Sequence, residues 1–212
     1  MTAQAEMAPG PETEWQAFID RPAAYADPRR LAACFDGAVS QPGCARLLQA
    51  KRLQPRLSKI LIDHYRLSAG PAPDDNDDDN ADRAVALSAV EDLDEIALRA
   101  GAIYWGGNFA GIIVSDKTAA LYAVLGEELP AIAAANKDLT GPAQPLEPFD
   151  SLRERVFADG WRCLGAWCHA VSTDTGTRVR LKLPPDDLVD EPPTAAFVKI
   201  GPAIVRRVVT SA

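Results

Sequence analysis

Apolar side chains recur every three or four residues along most of this chain, the spacing that places them on one face of an α-helix. Five long segments follow the pattern, and they are residues 44–67, 85–115, 116–136, 150–171 and 195–209. A shorter helix is predicted from Pro28 to about Phe35, because Asp27 is a good N-cap residue and proline suits the first helical position. Since every long periodic segment is helical, the sequence predicts a mainly α fold: a compact multi-helix domain with short helices.

Prolines and small residues modify this pattern at defined places. Pro55 should bend or split the 44–67 helix near Gln54, and Pro202 should bend the last helix, because proline removes one backbone donor and clashes with the preceding turn. A set of small residues in the 85–115 segment lets another backbone approach closely, with a break around Gly106–Gly107 as the alternative. The set comprises Ala97, Gly101, Gly106, Gly107, Ala110 and Gly111.

Three C-terminal segments do not follow the helical pattern. Residues 178–183 alternate basic and apolar side chains as a strand would, but a lone strand has no visible partner, so a short extended segment here stays an open alternative. The stretches from Gly141 to Pro148 and from Pro184 to Pro193 are predicted to be loops, because prolines punctuate both of them.

The distribution of charge divides the chain into parts. The formal net charge is −8, and residues 69–100, with ten acidic and two basic side chains, account for all of it. Residues 69–83 are predicted to form an acidic disordered loop, since their apolar content is too low and their self-repulsion too high to offset the ordering entropy. The predicted organisation is a flexible tail over 1–14, an N-terminal helical part over 15–68, the acidic loop, and a main helical part over 84–212; the alternative is one domain over 15–212.

The same charges argue against two classes of ligand. A calcium-binding EF-hand loop that began at Asp74 would need glycine and glutamate where Asp79 and Val85 stand, so that pattern fails. A broad basic face for nucleic acid is not expected either, because the basic excess is confined to a small patch in the first third of the chain.

The sequence also predicts a compartment. It has no apolar run of the length that a membrane span requires, and its first residues lack the basic start and apolar middle of a secretory signal. We therefore expect a cytoplasmic protein whose cysteines are thiols, because reducing compartments disfavour disulfides. The cysteines are Cys34, Cys44, Cys163 and Cys168.

One group of side chains could carry chemistry, and it consists of Cys163, Cys168 and His169. Their steps of five and one residues do not share a helix face, so buried structural thiols are expected; a thiol- or metal-dependent enzyme is the alternative. The glycine-rich Gly106–Gly111 stretch lacks the lysine of a P-loop and the preceding strand of a dinucleotide site, which favours helix packing. The sequence therefore predicts no catalytic residue, no cofactor and no metal.

A second feature suits binding rather than catalysis. Basic side chains form a polar stripe along the 44–67 segment, and its sign is complementary to that of the acidic residues. Docking to an acidic partner is the functional interpretation, with a solvated helix face or shielding by the acidic loop as alternatives. The stripe consists of Arg46, Lys51, Arg52, Arg56 and Lys59.

Several short motifs follow one another along residues 15–210. Aromatic, glycine and proline positions dominate them, so they are packing motifs rather than a catalytic fingerprint. The motifs are Phe18-x-x-Arg21-Pro22-Ala23-Ala24-Tyr25 followed by Leu31, the stretch from Leu93 that ends Gly-Ile-Ile-Val-Ser115, Gly141-Pro142, Asp159-Gly160-Trp161 with Trp167-Cys168, and Arg180-Leu181-Lys182-Leu183-Pro184.

This order of motifs resembles the SctK/YscK family, an accessory component of type III secretion systems. The resemblance implies a helical, non-enzymatic cytoplasmic adaptor of the sorting platform, peripheral to the inner membrane. It implies two partners, the cytoplasmic domain of an SctD-type ring protein and an SctQ-type pod protein, with a free monomer and no membrane insertion. A secretion chaperone, which would favour a dimer and an extended effector, is a further alternative.

Overall fold

The computed structural model describes residues 11–68, 77–112 and 115–211, and within those ranges the chain is helical with no strand. The predicted mainly α fold is therefore confirmed. Two 3-10 helices, Pro22–Ala24 and Lys51–Leu53, accompany the α-helices. The α-helices are α1 (Pro11–Asp20), α2 (Pro28–Ala33), α3 (Gln41–Gln49), α4 (Gln54–Tyr65), α5 (Asp77–Leu87), α6 (Val90–Tyr104), α7 (Gly106–Ala110), α8 (Ser115–Leu125), α9 (Glu128–Ala135), α10 (Leu152–Ala170), α11 (Thr173–Lys182), α12 (Asp187–Asp190) and α13 (Ala195–Thr210).

Local sequence signals set the N-terminal helices. The backbone N–H of Arg29 donates to the Asp27 carboxylate at 2.7 Å, so Asp27 caps α2 as predicted. Pro55 lies in the first turn of α4, where a missing N–H costs least, and the predicted bend near Gln54 is a complete break between α3 and α4.

The centre of the fold is α10, which packs against α6 and α13. Gly101 of α6 and Gly160 of α10 allow the two backbones to approach, because a methyl group on Gly101 would overlap the carbonyl of Val156 and one on Gly160 would overlap the carbonyl of Ala97. The predicted close approach at the small residues of α6 is therefore confirmed. The break at Gly106 is also present, since α6 ends at Tyr104 and α7 begins at Gly106.

The buried apolar side chains form two clusters. The larger main cluster is built around α6, α10 and α13, and the smaller N-terminal cluster around α2 to α4. Helix α11 contributes to both, with Val179 in the main cluster and Leu181 in the N-terminal cluster. Arg30 of α2 adds a polar link, because its guanidinium donates to both carboxylate oxygens of Asp190, at 2.8 and 2.9 Å. The predicted division into two helical parts stays a prediction.

The predictions for two polar segments were partly wrong. Helix α1 begins at Pro11, so residues 11–14 do not belong to a flexible tail, and residues 1–10 lie outside the described residues. Residues 77–83 of the predicted acidic loop are the start of α5, and residues 69–76 lie outside the described residues. The helix persists despite its charge because Asp82 binds the side chains of Trp167 and Arg206.

The structure also corrects the C-terminal predictions. Residues 178–182 are helical rather than extended, because they lie in α11. The buried cations Arg178 and Lys182 are satisfied there by backbone carbonyls. The predicted 184–193 loop contains the short helix α12, which Asp186 caps. The described part of the 85–115 segment is divided among α5, α6 and α7, and Ser115 begins α8.

The 116–136 segment forms two helices, α8 and α9, which meet at an angle of 104°. Among the described residues no single helix is long and apolar enough to cross a membrane, and the α8–α9 pair reaches that length and composition only when its two bent halves are taken together.

Candidate functional site

Five basic side chains lie on the first helices and form what we call the basic patch: Arg46, Lys51, Arg52, Arg56 and Lys59. The elements that carry them are the last turn of α3, the 3-10 helix Lys51–Leu53 and the first half of α4. All five side chains are exposed. The structure therefore places the predicted stripe on three consecutive elements of the N-terminal part, with every member exposed.

The buried faces of α3 and α4 explain this exposure. Cys44, Leu57 and Leu61 are almost fully buried in the N-terminal cluster, so residues on the other faces of these helices point to solvent. The Ser58 hydroxyl, also buried, accepts a hydrogen bond from the backbone N–H of Ala23 at 3.3 Å. The patch is thus supported by a packed framework.

None of the five cations makes a hydrogen bond or ion pair with the described part of the chain. Other arginines differ, since Arg30, Arg178 and Arg206 all bind carboxylates or carbonyls. The α5 carboxylates of Asp78 and Asp82 lie against Arg206 rather than against the patch. Among the described residues, nothing therefore neutralises the positive charge of the patch.

The cysteines of the enzyme alternative lie inside the helix packing. Cys163 and Cys168 are 0% and 1% exposed, whereas His169 is exposed. Burial raises the pKa of both thiols, that of Cys168 to about 12, so neither forms much thiolate near neutral pH. Burial and the nearby Arg180 lower the pKa of His169. This arrangement does not favour a thiol- or metal-dependent enzyme.

The described residues contain no group of three or more histidine, cysteine and acidic side chains placed to hold a metal ion. Asp159, a buried carboxylate, is engaged structurally instead. It accepts hydrogen bonds from Trp105 Nε1 at 2.9 Å and Gln144 Nε2 at 3.0 Å, and it pairs with Arg162. These bonds join Trp105, which directly follows α6, to α10 and to the loop that precedes α10.

The sequence analysis missed one notable cation, Lys182. Its side chain is buried, and its ammonium donates to the carbonyls of Ala86 at 2.7 Å and Ser88 at 2.6 Å. The ammonium also lies 5.3 Å from the ring centre of Phe18 and 5.6 Å from that of Tyr25. Burial lowers the pKa of Lys182 to about 8. The sequence did not indicate a buried lysine at this position, because the alternation of basic and apolar residues over 178–183 is typical of a strand with exposed basic side chains.

Comparison with known proteins finds similarity to a nodulation protein of rhizobia. The chain is similar to the nodulation protein NolU of Rhizobium fredii and to NolU of Sinorhizobium fredii (strain NBRC 101917 / NGR234), with 28% identity over 181 residues in each case. The similarity covers 80% of this chain and 76% of each relative, so it extends over most of the helices rather than one motif. No family model matches the chain, and no solved structure matches it. The narrower assignment to the SctK/YscK family stays a prediction.

Proposed function

We propose that this chain is a non-enzymatic adaptor of a type III protein secretion system. In this role it links the cytoplasmic domain of an SctD-type ring protein to an SctQ-type pod protein, on the cytoplasmic side of the inner membrane. The observation that carries the proposal is the basic patch, whose five exposed cations have no partner among the described residues. The motif order supports the choice of partners. The similarity to NolU extends over most of the chain, and it supports a common origin with that protein.

The basic patch suits an acidic protein surface. Charges of opposite sign raise the rate of encounter and fix the orientation of two proteins, and exposed charges do this in a salt-dependent way. The apolar side chains beneath the patch are already buried, so the free chain does not need a partner to cover them. A monomer that docks through charge is the expected behaviour.

The test measures binding of the purified chain to the ring-protein cytoplasmic domain and to the pod protein from the same bacterium. The patch variant carries Lys51→Glu, Arg52→Glu and Arg56→Glu. We expect its affinity for one of the two partners to fall about tenfold or more, because like charges would then face each other. We also expect the affinity of the unmodified chain to fall as the salt concentration rises.

A matched control reverses three exposed cations outside the patch, Lys137→Glu, Arg153→Glu and Lys199→Glu. The control changes the net charge by the same amount as the patch variant, and it should keep most of the affinity of the unmodified chain for its partners. If both variants lost the same affinity, the effect would come from net charge rather than from the position of the patch. If the unmodified chain bound neither partner, the result would contradict the adaptor role. A dimer that holds an extended effector would favour the secretion chaperone.

A further inference from the structure

Two surface concavities adjoin at Val90, at the start of α6, and neither is lined by a residue of the basic patch. Their volumes are about 610 Å³ and about 340 Å³. The first lies between α1, the 3-10 helix Pro22–Ala24 and Lys182. The second lies between α6, Trp161 of α10 and the segment that leads into α12. We call the two together the corner groove.

The walls of the corner groove are largely apolar. Phe18, Tyr25 and Leu87 line the first concavity, and Trp161 and Leu188 line the second. Tyr25, Leu87, Trp161 and Leu188 are only partly buried, so an occupant would remove apolar surface from water.

The first concavity carries positive charge without a paired carboxylate. Lys182 is 7% exposed, and no carboxylate of the described residues lies within ion-pair distance of its ammonium. The two carbonyls that it binds use two of its three donors. Arg21 also lines this end and is exposed, as is Glu14. A carboxylate from an occupant would offset the cost of the buried ammonium.

The second concavity has the opposite sign. Asp94 and Asp186 line it beside the indole ring of Trp161. Asp94 is exposed and makes no hydrogen bond or ion pair among the described residues. Partial desolvation of its carboxyl, together with the nearby Glu91, raises its pKa. A cation placed here would relieve that repulsion, and an aromatic face stabilises a cation further.

We propose that the corner groove binds a partner polypeptide segment in which apolar side chains separate an acidic residue, held by Lys182 and Arg21, from a basic residue, held by Asp94 beside Trp161. Charge complementarity at both ends selects this occupant over a purely apolar one. The groove contains none of the basic-patch residues, so it supplies the second surface that an adaptor needs. It goes beyond the proposed function and does not depend on which proteins meet the basic patch.

Trp161 provides the readout. Of the four tryptophans it is the one that is only partly buried, since Trp15, Trp105 and Trp167 are 6%, 1% and 0% exposed. The probes are acetylated, amidated peptides with glutamate at one end, arginine at the other and roughly two to five leucine or alanine residues between, which span roughly 10 to 20 Å when extended. A matched peptide series has glutamine at both ends.

We expect the charged peptides to change the emission of Trp161 in a saturable way, and Trp161→Phe to abolish the change. The Asp94→Asn variant should bind about threefold to fivefold more weakly, as should the glutamine peptides. Asp94 is exposed, so its substitution tests the groove without disturbing the core, and Asp92→Asn on the same helix is the matched control.

Three results would overturn the proposal: no saturable change at peptide concentrations up to about 5 mM, equal binding of charged and glutamine peptides, or equal losses in Asp94→Asn and Asp92→Asn. Since the probes are peptides rather than secretion proteins, these results are independent of the adaptor test. The basic-patch variant should bind the charged peptides as the unmodified chain does.

Discussion

Gly160 of α10 lies directly against Gly101 of α6, and a methyl group built on Gly160 would come within 3.0 Å of the Gly101 nitrogen. The same methyl group would overlap the Ala97 carbonyl, which is backbone and cannot move aside alone. The contact between α6 and α10, the most extensive helix pair in the fold, therefore depends on the absence of two side chains.

Gly160→Ala should lower the free energy of unfolding by about 3 kcal/mol, because α6 and α10 must separate to admit the methyl group. Gly111→Ala is the control, since a methyl group there meets only the Asn108 carbonyl at 3.6 Å. Urea denaturation measures both. Similar effects of the two substitutions would show that the α6–α10 contact is loose.

Asp82 should be a stabilising residue although it lies in an acidic run. Its carboxylate accepts from Trp167 Nε1 at 2.7 Å and from Arg206 Nε and Nη2 at 2.8 and 2.9 Å. Asp82→Asn should cost about 2 kcal/mol of stability, because it weakens charge-assisted bonds in a partly buried site. Asp78→Asn removes a carboxylate with 76% exposure, 3.9 Å from Arg206, and should cost almost nothing. Thermal or urea unfolding of the pair tests this difference.

How much of the fold could be predicted depends on the range of the interactions that set it. The cap of α2 by Asp27 and the break before Pro55 follow from neighbouring residues, and they were predicted correctly. The acidic first part of α5, residues 77–83, was predicted as a loop because its carboxylates repel one another locally. Arg206, which stabilises Asp82, is 124 positions away in the sequence.

The same reasoning applies to the sites. The basic patch could be identified because exposure follows helical periodicity. The burial of Lys182 could not be predicted, because its carbonyl acceptors are 94 and 96 positions away in the sequence. No neighbouring residue indicates that these carbonyls lie beside it. Gly160 was likewise unrecognised as the partner of Gly101, since only the crossing of two helices reveals the pair.

The four cysteines should differ in reactivity. Cys34 is partly exposed, and burial together with Cys44 raises its pKa to about 11, so its thiolate fraction should grow steadily as the pH rises through the alkaline range. Iodoacetamide should therefore modify Cys34 first in the folded protein, and faster at higher pH. Cys163 and Cys168 should react only on unfolding, because both are buried. Mass spectrometry locates the labels, and rapid labelling of Cys163 or Cys168 at neutral pH would revive the enzyme alternative.

Lys182 should give a distinctive pH dependence of stability. Burial lowers its pKa from 10.5 to about 8. Below about pH 8 the lysine is charged in both states; above it, the unfolded chain still holds a proton that the folded chain has lost. The stability of the unmodified protein relative to Lys182→Met should therefore rise between about pH 8 and about pH 10. Urea unfolding of both proteins across that window measures the difference, and a decrease would show that the folded state favours the ammonium.

Helix α11 connects the N-terminal cluster to the main cluster. Leu181 is embedded among the N-terminal helices, and Val179, two residues earlier, is embedded beside α10. The buried guanidinium of Arg178, also in α11, donates hydrogen bonds to the carbonyl of Ile19 in the last turn of α1 and to the carbonyl of Ser68, which follows α4. The helices that carry the basic patch are therefore connected to the α6–α10 framework by the packing and the buried hydrogen bonds of one short helix.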